Sequence, residues 1–184
     1  LKAPAVQYTV ADKKEKIAEA IRRCDALEDE NPGAWLTYYL SLHAGLRRSE
    51  VAAAKWSWLT DQGILVQSDG DFQTKSGKSR LVPLSKAQIQ RLRQYQCDSD
   101  YIVPGPYTAR YRVLPDEVAR IIRDCGITGS KSFHELRKYY GANVATQLGI
   151  FHAQKYLGHH SPEITSKYYA DIVDAKPIEI KILA

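Results

Sequence analysis

The sequence of 184 residues contains no methionine, not even at position 1. Because translation starts with methionine, we expect Leu1 not to be the natural start and the chain to be an excised domain that lacks an N-terminal partner. The sequence also lacks any apolar run close to the ~18 residues that a membrane span needs. Its first residues show no signal-peptide pattern. We therefore expect no association with a membrane.

Cysteine is scarce as well, and the three that occur, Cys24, Cys97 and Cys125, are scattered along the chain. Their odd number and wide separation predict neither a disulfide framework nor a structural zinc site. A reducing cytosol is the compartment that this usage favours. No cluster of carboxylates suited to a divalent metal is evident either.

The residues that are present describe an ordinary globular protein, 44% hydrophobic and 26% charged. A chain of this length suits one domain. The net charge is +5, which would suit a nucleic acid partner, but many basic domains bind no DNA. Charge alone therefore leaves the partner open.

Apolar residues recur at helical spacing along most of the chain, and short apolar runs interrupt them after residue 60. We predict an α+β fold that is mainly α-helical, with a small antiparallel sheet of three or four strands. The predicted helices lie at about 17–27, 35–40, 47–54, 85–97, 115–125, 132–148 and 150–157, with another that starts at Ser161. The predicted strands are 64–66, 72–74 and 80–83, the first two joined by a turn at 68–70, and a tail strand within 176–184.

The stretch AGLRRSE at 44–50 places Arg47 at the start of a predicted helix. A cation is disfavoured at this positive end of the helix dipole, so its presence there makes sense if an anion binds beside it. Further along, HELR at 134–137 puts His134 and Arg137 on one helix face. Arginine matches phosphate geometry, and histidine exchanges protons near neutral pH. Taken singly, each pattern is explained more readily by a solvated polar face.

Three other stretches carry chemistry of the same kind. TKSGKSR at 74–80 gathers Lys75 and two further cations in a predicted turn, where surface lysines are also common. LGH at 157–159 leaves His159 in the turn after a helix that Gly158 ends. SKYYAD at 166–171 holds two adjacent tyrosines, which a helix would point about 100° apart. A phenol has a pKa near 10, so about one in a thousand is ionised at pH 7, and a nucleophilic tyrosine needs cations or a proton acceptor nearby.

The ordered set of these motifs resembles the tyrosine recombinase (phage-integrase) family. AGLRxSE is similar to the family's first arginine box, HELR to its second, and LGH followed nine residues later by Tyr168 to its third. The resemblance extends over about residues 10–175. It implies that residues 1–184 form a catalytic domain from which the N-terminal core-binding domain is absent.

The resemblance implies six catalytic residues, namely Arg47, Lys75, His134, Arg137, His159 and Tyr168. The two arginines would grip the non-bridging oxygens of the scissile phosphate, and His159 would hydrogen-bond to the same phosphate. Glu50 matches an acidic position of the family, where it would orient the other groups.

The remaining implied roles move protons and bind DNA. Tyr168 would attack phosphorus, His134 would accept the tyrosine proton, and Lys75 would protonate the departing 5′ oxygen. Tyr169 is then left as a packing or surface residue. The cations expected to bind DNA are Arg48, Lys78, Arg80 and Lys138.

The function implied is that of a site-specific DNA recombinase or integrase, which cleaves and rejoins DNA through a 3′-phosphotyrosyl intermediate. It needs no metal or nucleotide cofactor and acts on double-stranded recombination sites. We expect a tetramer on paired sites, with a monomer possible for the isolated domain, in the cytoplasm of a bacterial host at the nucleoid. Two alternatives stay open: an enzyme of the type IB topoisomerase or hairpin telomere resolvase kind, and a DNA-binding module that has lost catalysis.

Overall fold

The computed structural model describes residues 10–75, 77–128 and 131–159. Two predictions fall outside these residues: the helix expected to start at Ser161, which carries Tyr168 and Tyr169, and the tail strand within 176–184. No helix in the described part of the chain is long and apolar enough to cross a membrane.

Helices dominate the described residues, and a three-stranded antiparallel sheet lies among them, as predicted. The helices are α1 (Val10–Asp25), α2 (Leu27–Glu30), α3 (Pro32–His43), α4 (Arg48–Ala53), α5 (Lys86–Arg93), α6 (Leu114–Asp124), α7 (His134–Leu148) and α8 (Ile150–Leu157). A 3-10 turn (Trp56–Trp58) precedes the sheet, and a π-helical turn (Ala109–Val113) leads into α6. The strands are β1 (Leu59–Thr60), β2 (Gly63–Val66) and β3 (Arg80–Pro83).

Helix α3 forms the centre of the core. Its start is fixed by Asn31, whose side chain accepts a hydrogen bond from the backbone N–H of Ala34 at 3.2 Å, and by Pro32 in the first turn. Every residue from Gly33 to Leu42 is buried. A helix that is apolar on all sides belongs in the interior, and α3 accordingly packs against α2, α6 and α7.

The sheet has the order β1-β2-β3, and its strands differ in part from the prediction. The predicted strand 72–74 is wrong: Phe72 pairs only with Asp69, through two backbone hydrogen bonds of 2.7 and 2.8 Å that close a tight turn. Thr74 then donates from its backbone to Ser68 Oγ and from its hydroxyl to the carbonyl of Lys78, both at 3.1 Å. Such local bonds compete with a strand ladder, and Leu59–Thr60 provides the third strand instead.

Helices α7 and α8 bring the HELR and LGH motifs of the sequence toward the sheet. Helix α7 packs on both α3 and α8, and α8 packs on β3. Gly158 adopts the left-handed conformation (φ 63°) that ends α8. His159 therefore lies in the turn after this helix, as the sequence indicated.

Gly63, where β2 begins, offers a test of the sheet. Its φ is +141°, and a Cβ there would lie 2.1 Å from the carbonyl oxygen of Val82 in β3. Backbone in a paired strand cannot yield easily, so we expect Gly63→Ala to lower the free energy of unfolding by about 3 kcal/mol or more. Urea denaturation followed by circular dichroism would measure the loss.

Gly70 provides the matched control, because its φ is also positive (+42°) but a Cβ there meets nothing within 4 Å. Gly70→Ala should cost only the backbone term of about 1–2 kcal/mol. Equal losses for the two variants would contradict the packing argument.

Candidate functional site

The loop before α4 places Arg47 at the beginning of that helix. Gly45 (φ +59°) permits the tight turn, and Glu50, one turn into α4, accepts a hydrogen bond from the backbone N–H of Arg47 at 2.7 Å. The same carboxylate accepts from Arg47 Nη1 at 2.9 Å. The arginine side chain keeps 24% of its surface exposed. Arg47 is thus fixed at its base while its guanidinium still reaches solvent.

Glu50 lies at the centre of the site and is 1% exposed. Besides the bonds from Arg47, it accepts a hydrogen bond from each terminal nitrogen of Arg80. Arg80 Nη1 lies 2.8 Å from Oε1, and Arg80 Nη2 lies 2.7 Å from Oε2. Arg137 Nη1 lies 3.8 Å from Oε2. One buried carboxylate is therefore shared by three arginines from α4, β3 and α7.

The pKa of Glu50 reflects this arrangement. Burial by itself raises the pKa, but the hydrogen bonds and charge of Arg80, together with Arg137 and Arg47, hold it at about 2. Glu50 is therefore ionised throughout the neutral range. Three guanidinium charges face this single negative charge, so the cluster keeps an excess of two positive charges.

Arg137 is only 1% exposed, and its guanidinium binds backbone carbonyls rather than solvent. It donates from Nη1 to the carbonyl of Gly45 and from Nη2 to the carbonyl of Leu157, the latter at 2.6 Å. Nη2 also lies 3.3 Å from Nε2 of His159. Arg137 therefore joins the loop before α4 to the end of α8, where the carbonyl dipoles favour a cation.

His134 and His159 are half-buried beside this positive charge. Burial and the charge of Arg137 lower the pKa of each to about 4, and Arg47 adds to the effect at both. Both imidazoles are consequently neutral at pH 7, and a neutral imidazole has one nitrogen that can accept a proton.

The other predicted cations lie around this cluster. Lys75 is exposed in the connection between β2 and β3, and no described residue forms an ion pair with it. Arg48 pairs with Asp116 at 2.7 Å and stacks over the ring of Phe133. Lys138 pairs with Glu135 at 2.6 Å. The structure thus gathers Arg47, Glu50, His134, Arg137 and His159, and leaves Lys75 outside their contacts.

A cleft of about 490 Å³ opens between β3 and the end of α8. Its lining includes the cations Lys78, Arg80 and Lys155, the imidazole of His159 and the exposed ring of Phe151. Among the described residues, no group of three His, Cys, Asp or Glu side chains is arranged to hold a metal ion.

Sequence reasoning placed Arg80 among the DNA-binding cations and missed its contact with Glu50. The signal was present in the strand pattern: Arg80 and Val82 are two apart in β3, so they share a face. Val82 is fully buried, and a charged residue on a buried face of a strand needs a partner of opposite charge.

Gly45 gives a test of how the loop before α4 is held. A Cβ at Gly45 would lie 2.4 Å from Cδ1 of Tyr140 on α7, and its φ is +59°. The left-handed backbone costs about 1–2 kcal/mol and overpacking costs about 1–3 kcal/mol. Gly45→Ala should therefore destabilise the protein by about 3 kcal/mol in urea denaturation. Gly149→Ala, with φ +88° and open space around the added carbon, should lose only the backbone term; a larger loss there would contradict the account.

The lowered histidine pKa values predict how stability depends on pH. The unfolded chain takes up protons on His134 and His159 below its usual pKa of 6.5, whereas the folded protein takes them up only near pH 4. The free energy of unfolding should therefore fall as the pH drops from 6.5 to about 4. Thermal unfolding across this range would measure the fall.

His134→Gln should reduce this loss of stability, because it removes one of the two groups responsible. His152→Gln, at an exposed position on α8, is the matched control and should keep the full loss. If stability depends on pH in His134→Gln just as it does in the native protein, His134 is not held neutral by its surroundings.

Comparisons with known proteins show the family and the fold of this chain. The model of the phage integrase family matches residues 9–175, whereas no curated protein matches the chain. The catalytic domain of bacteriophage HP1 integrase is 20% identical with a TM-score of 0.63, covering 93% of this chain and 89% of that one. XerA recombinase is 22% identical with a TM-score of 0.64, covering 91% and 61%.

A tetramer of lambda integrase bound to a Holliday junction is 22% identical with a TM-score of 0.66, covering 89% of this chain and 50% of that one. The chain thus spans about half the length of this integrase. At such identities the structural likeness establishes the fold, while the family match extends over nearly the whole chain. The chain belongs to the phage integrase family, the tyrosine recombinases, which break and rejoin DNA.

Proposed function

We propose that this chain is the catalytic domain of a site-specific DNA recombinase or integrase that works through a 3′-phosphotyrosyl intermediate. The observation that carries the proposal is the cluster of three arginines around one buried carboxylate, with two neutral histidines beside it. An excess of positive charge suits a phosphodiester, and neutral imidazoles suit a proton transfer.

Phosphate binding is assigned to Arg47, Arg137 and His159. Arg47 has the most exposed guanidinium of the cluster, and its fork matches two phosphate oxygens. Arg137 and His159 are already in contact, at 3.3 Å. Negative charge grows on the non-bridging oxygens in the transition state, and fixed cations stabilise it because they need not reorganise.

The covalent step is assigned to Tyr168. Its phenolic oxygen attacks phosphorus while His134 takes the phenolic proton, and the bond from phosphorus to the 5′ oxygen breaks. Lys75, exposed in the β2–β3 connection, gives a proton to that departing oxygen. The products are a phosphotyrosyl ester on the 3′ end and a free 5′-hydroxyl.

Rejoining follows as the reverse reaction with a second 5′-hydroxyl. The phosphotyrosyl ester conserves the energy of the broken bond, so the strand is resealed without a nucleotide cofactor. This chemistry favours exchange of strands between two sites. The structures of lambda integrase include a dimer on a core site and a tetramer on a Holliday junction, and we propose a tetramer on paired DNA sites for this chain as well.

Contact with the DNA backbone is assigned to three cations around the cluster, the exposed Lys78 and the partly exposed Arg48 and Lys138. The salt bridges of Arg48 to Asp116 and of Lys138 to Glu135 are partly exposed, so a phosphate can replace these carboxylates at little cost. Binding through such contacts depends steeply on salt.

The two tyrosines of SKYYAD provide the decisive experiment. Tyr168→Phe removes the nucleophile, so it should abolish the covalent protein–DNA band while DNA affinity stays unchanged. Tyr169→Phe is the matched control and should retain the band. The measurement is a denaturing gel after incubation with nicked duplexes, whose sequence is first enriched from a random library by binding to the native protein.

Three outcomes would contradict the proposal. A band retained by Tyr168→Phe and lost in Tyr169→Phe would show that the nucleophile is the other tyrosine. No band from the native protein, on nicked duplexes that it binds, would exclude the enzyme and favour a DNA-binding module. Relaxation of supercoiled DNA without exchange between two sites would favour the topoisomerase alternative.

A further inference from the structure

Arg80 occupies a position that its sequence motif does not explain. It begins β3, paired with Val66 of β2, and its side chain is only 9% exposed. Its two terminal nitrogens donate to the two oxygens of Glu50 at 2.8 and 2.7 Å. Its Nε donates to the carbonyl of Tyr156 near the end of α8, at 2.8 Å. One side chain therefore joins three elements: the sheet, α4 and α8.

The geometry requires an arginine here. A bidentate pair uses two nitrogens of one plane, and the Nε–H of the same plane reaches a third acceptor. Lysine has a single ammonium on a flexible stem and cannot reproduce this fork. Gly158 fits the same arrangement, since a Cβ there would approach Arg80 Cδ to 3.0 Å. A side chain at position 158, next to His159, would therefore crowd Arg80.

Glu50 depends on Arg80 more than on any other partner. Arg80 supplies two of the side-chain hydrogen bonds that reach the carboxylate, and Arg47 supplies one. The charged groups facing this carboxylate are Arg47 from the start of α4, Arg80 from β3 and Arg137 from α7. Without Arg80, the carboxylate would be free to turn toward Arg47 or Arg137 and so displace the two arginines assigned to the phosphate.

We propose that Arg80 is a positioning residue of the catalytic cluster, which acts through Glu50 to hold Arg47 and Arg137 in place, and through Tyr156 to hold the end of α8 next to His159. This inference rests on the function proposed above. It differs from the sequence expectation, in which Arg80 contacts DNA. The buried fork is occupied by protein acceptors, so a phosphate would have to break an ion pair to reach it.

The test separates binding of DNA from the chemical step. The comparison uses the enriched nicked duplex and five proteins: the native protein, Arg80→Lys, Arg80→Gln, Glu50→Gln, and the double variant that combines Arg80→Gln with Glu50→Gln. Two quantities are measured for each: the dissociation constant for DNA, and the rate of covalent adduct formation at saturating DNA. Arg93→Gln is the control, because Arg93, the last residue of α5, forms an exposed ion pair with Asp61 outside the cluster.

We expect Arg80→Lys and Arg80→Gln to slow adduct formation by about 10²-fold, the effect of a small misplacement of catalytic groups. DNA affinity should stay within about threefold of the native value. Arg80 is bound to protein acceptors, so replacing it removes no contact between the protein and a DNA phosphate. The double variant should be slower than Glu50→Gln alone by much less than the full effect of Arg80→Gln, since the two changes share the Arg80–Glu50 interaction and differ at the Tyr156 contact. Arg93→Gln should match the native protein in both quantities.

Circular dichroism identifies variants that fail to fold, and Arg80→Lys, which keeps the charge, supplies the measurement if Arg80→Gln does not fold. Native rates in both Arg80 variants would overturn the proposal. A loss of affinity that saturating DNA fully compensates would make Arg80 a DNA contact instead. Effects of Arg80→Gln and Glu50→Gln that multiply would show that Arg80 does not act through Glu50. If the native protein forms no adduct on DNA that it binds, the proposed function itself fails, and the positioning role fails with it.

Discussion

The site depends on the burial of one carboxylate, that of Glu50. An ionised carboxylate removed from water is very costly unless charged partners surround it. Glu50 meets that requirement with three arginines, and each buried arginine needs acceptors in turn. Arg80 and Arg137 find theirs at the carbonyls of Tyr156 and Leu157. Helices α4, α7 and α8 and strand β3 are therefore held in one arrangement by a single buried charge.

This arrangement also determines the electrostatic character of the site. Because one negative charge balances only part of three positive charges, the cluster remains positive. Burial, together with that excess charge, lowers the pKa values of His134 and His159, so both are neutral at pH 7. A positive site with neutral imidazoles combines attraction for a phosphodiester with the capacity to accept a proton. The same interaction that stabilises the fold thus prepares the chemistry proposed for it.

Much of the fold could be predicted from local signals. Helix α6 begins beside Pro115, and α8 ends at Gly158, as the sequence indicated. The strand predicted at 72–74 was wrong because hydrogen bonds between Ser68, Thr74 and Lys78 close a loop there. The strand that replaced it, Leu59–Thr60, has only two residues. So short a strand leaves no alternating pattern, and only its pairing with β2 defines it.

The sequence by itself determined which groups are available and in what order: Arg47, His134, Arg137, His159, and a tyrosine nine residues after the last. It determined the family because that order and spacing are specific even though each motif is weak. Only the tertiary structure decided which group each cation contacts. Arg80 meets Glu50 across 30 residues and Arg137 meets Gly45 across 92. Neither separation corresponds to a helix or strand period, so a local pattern can indicate that Arg80 needs a partner but cannot identify which residue it is. The cost of burying an unpaired charge selects these contacts once the chain has folded.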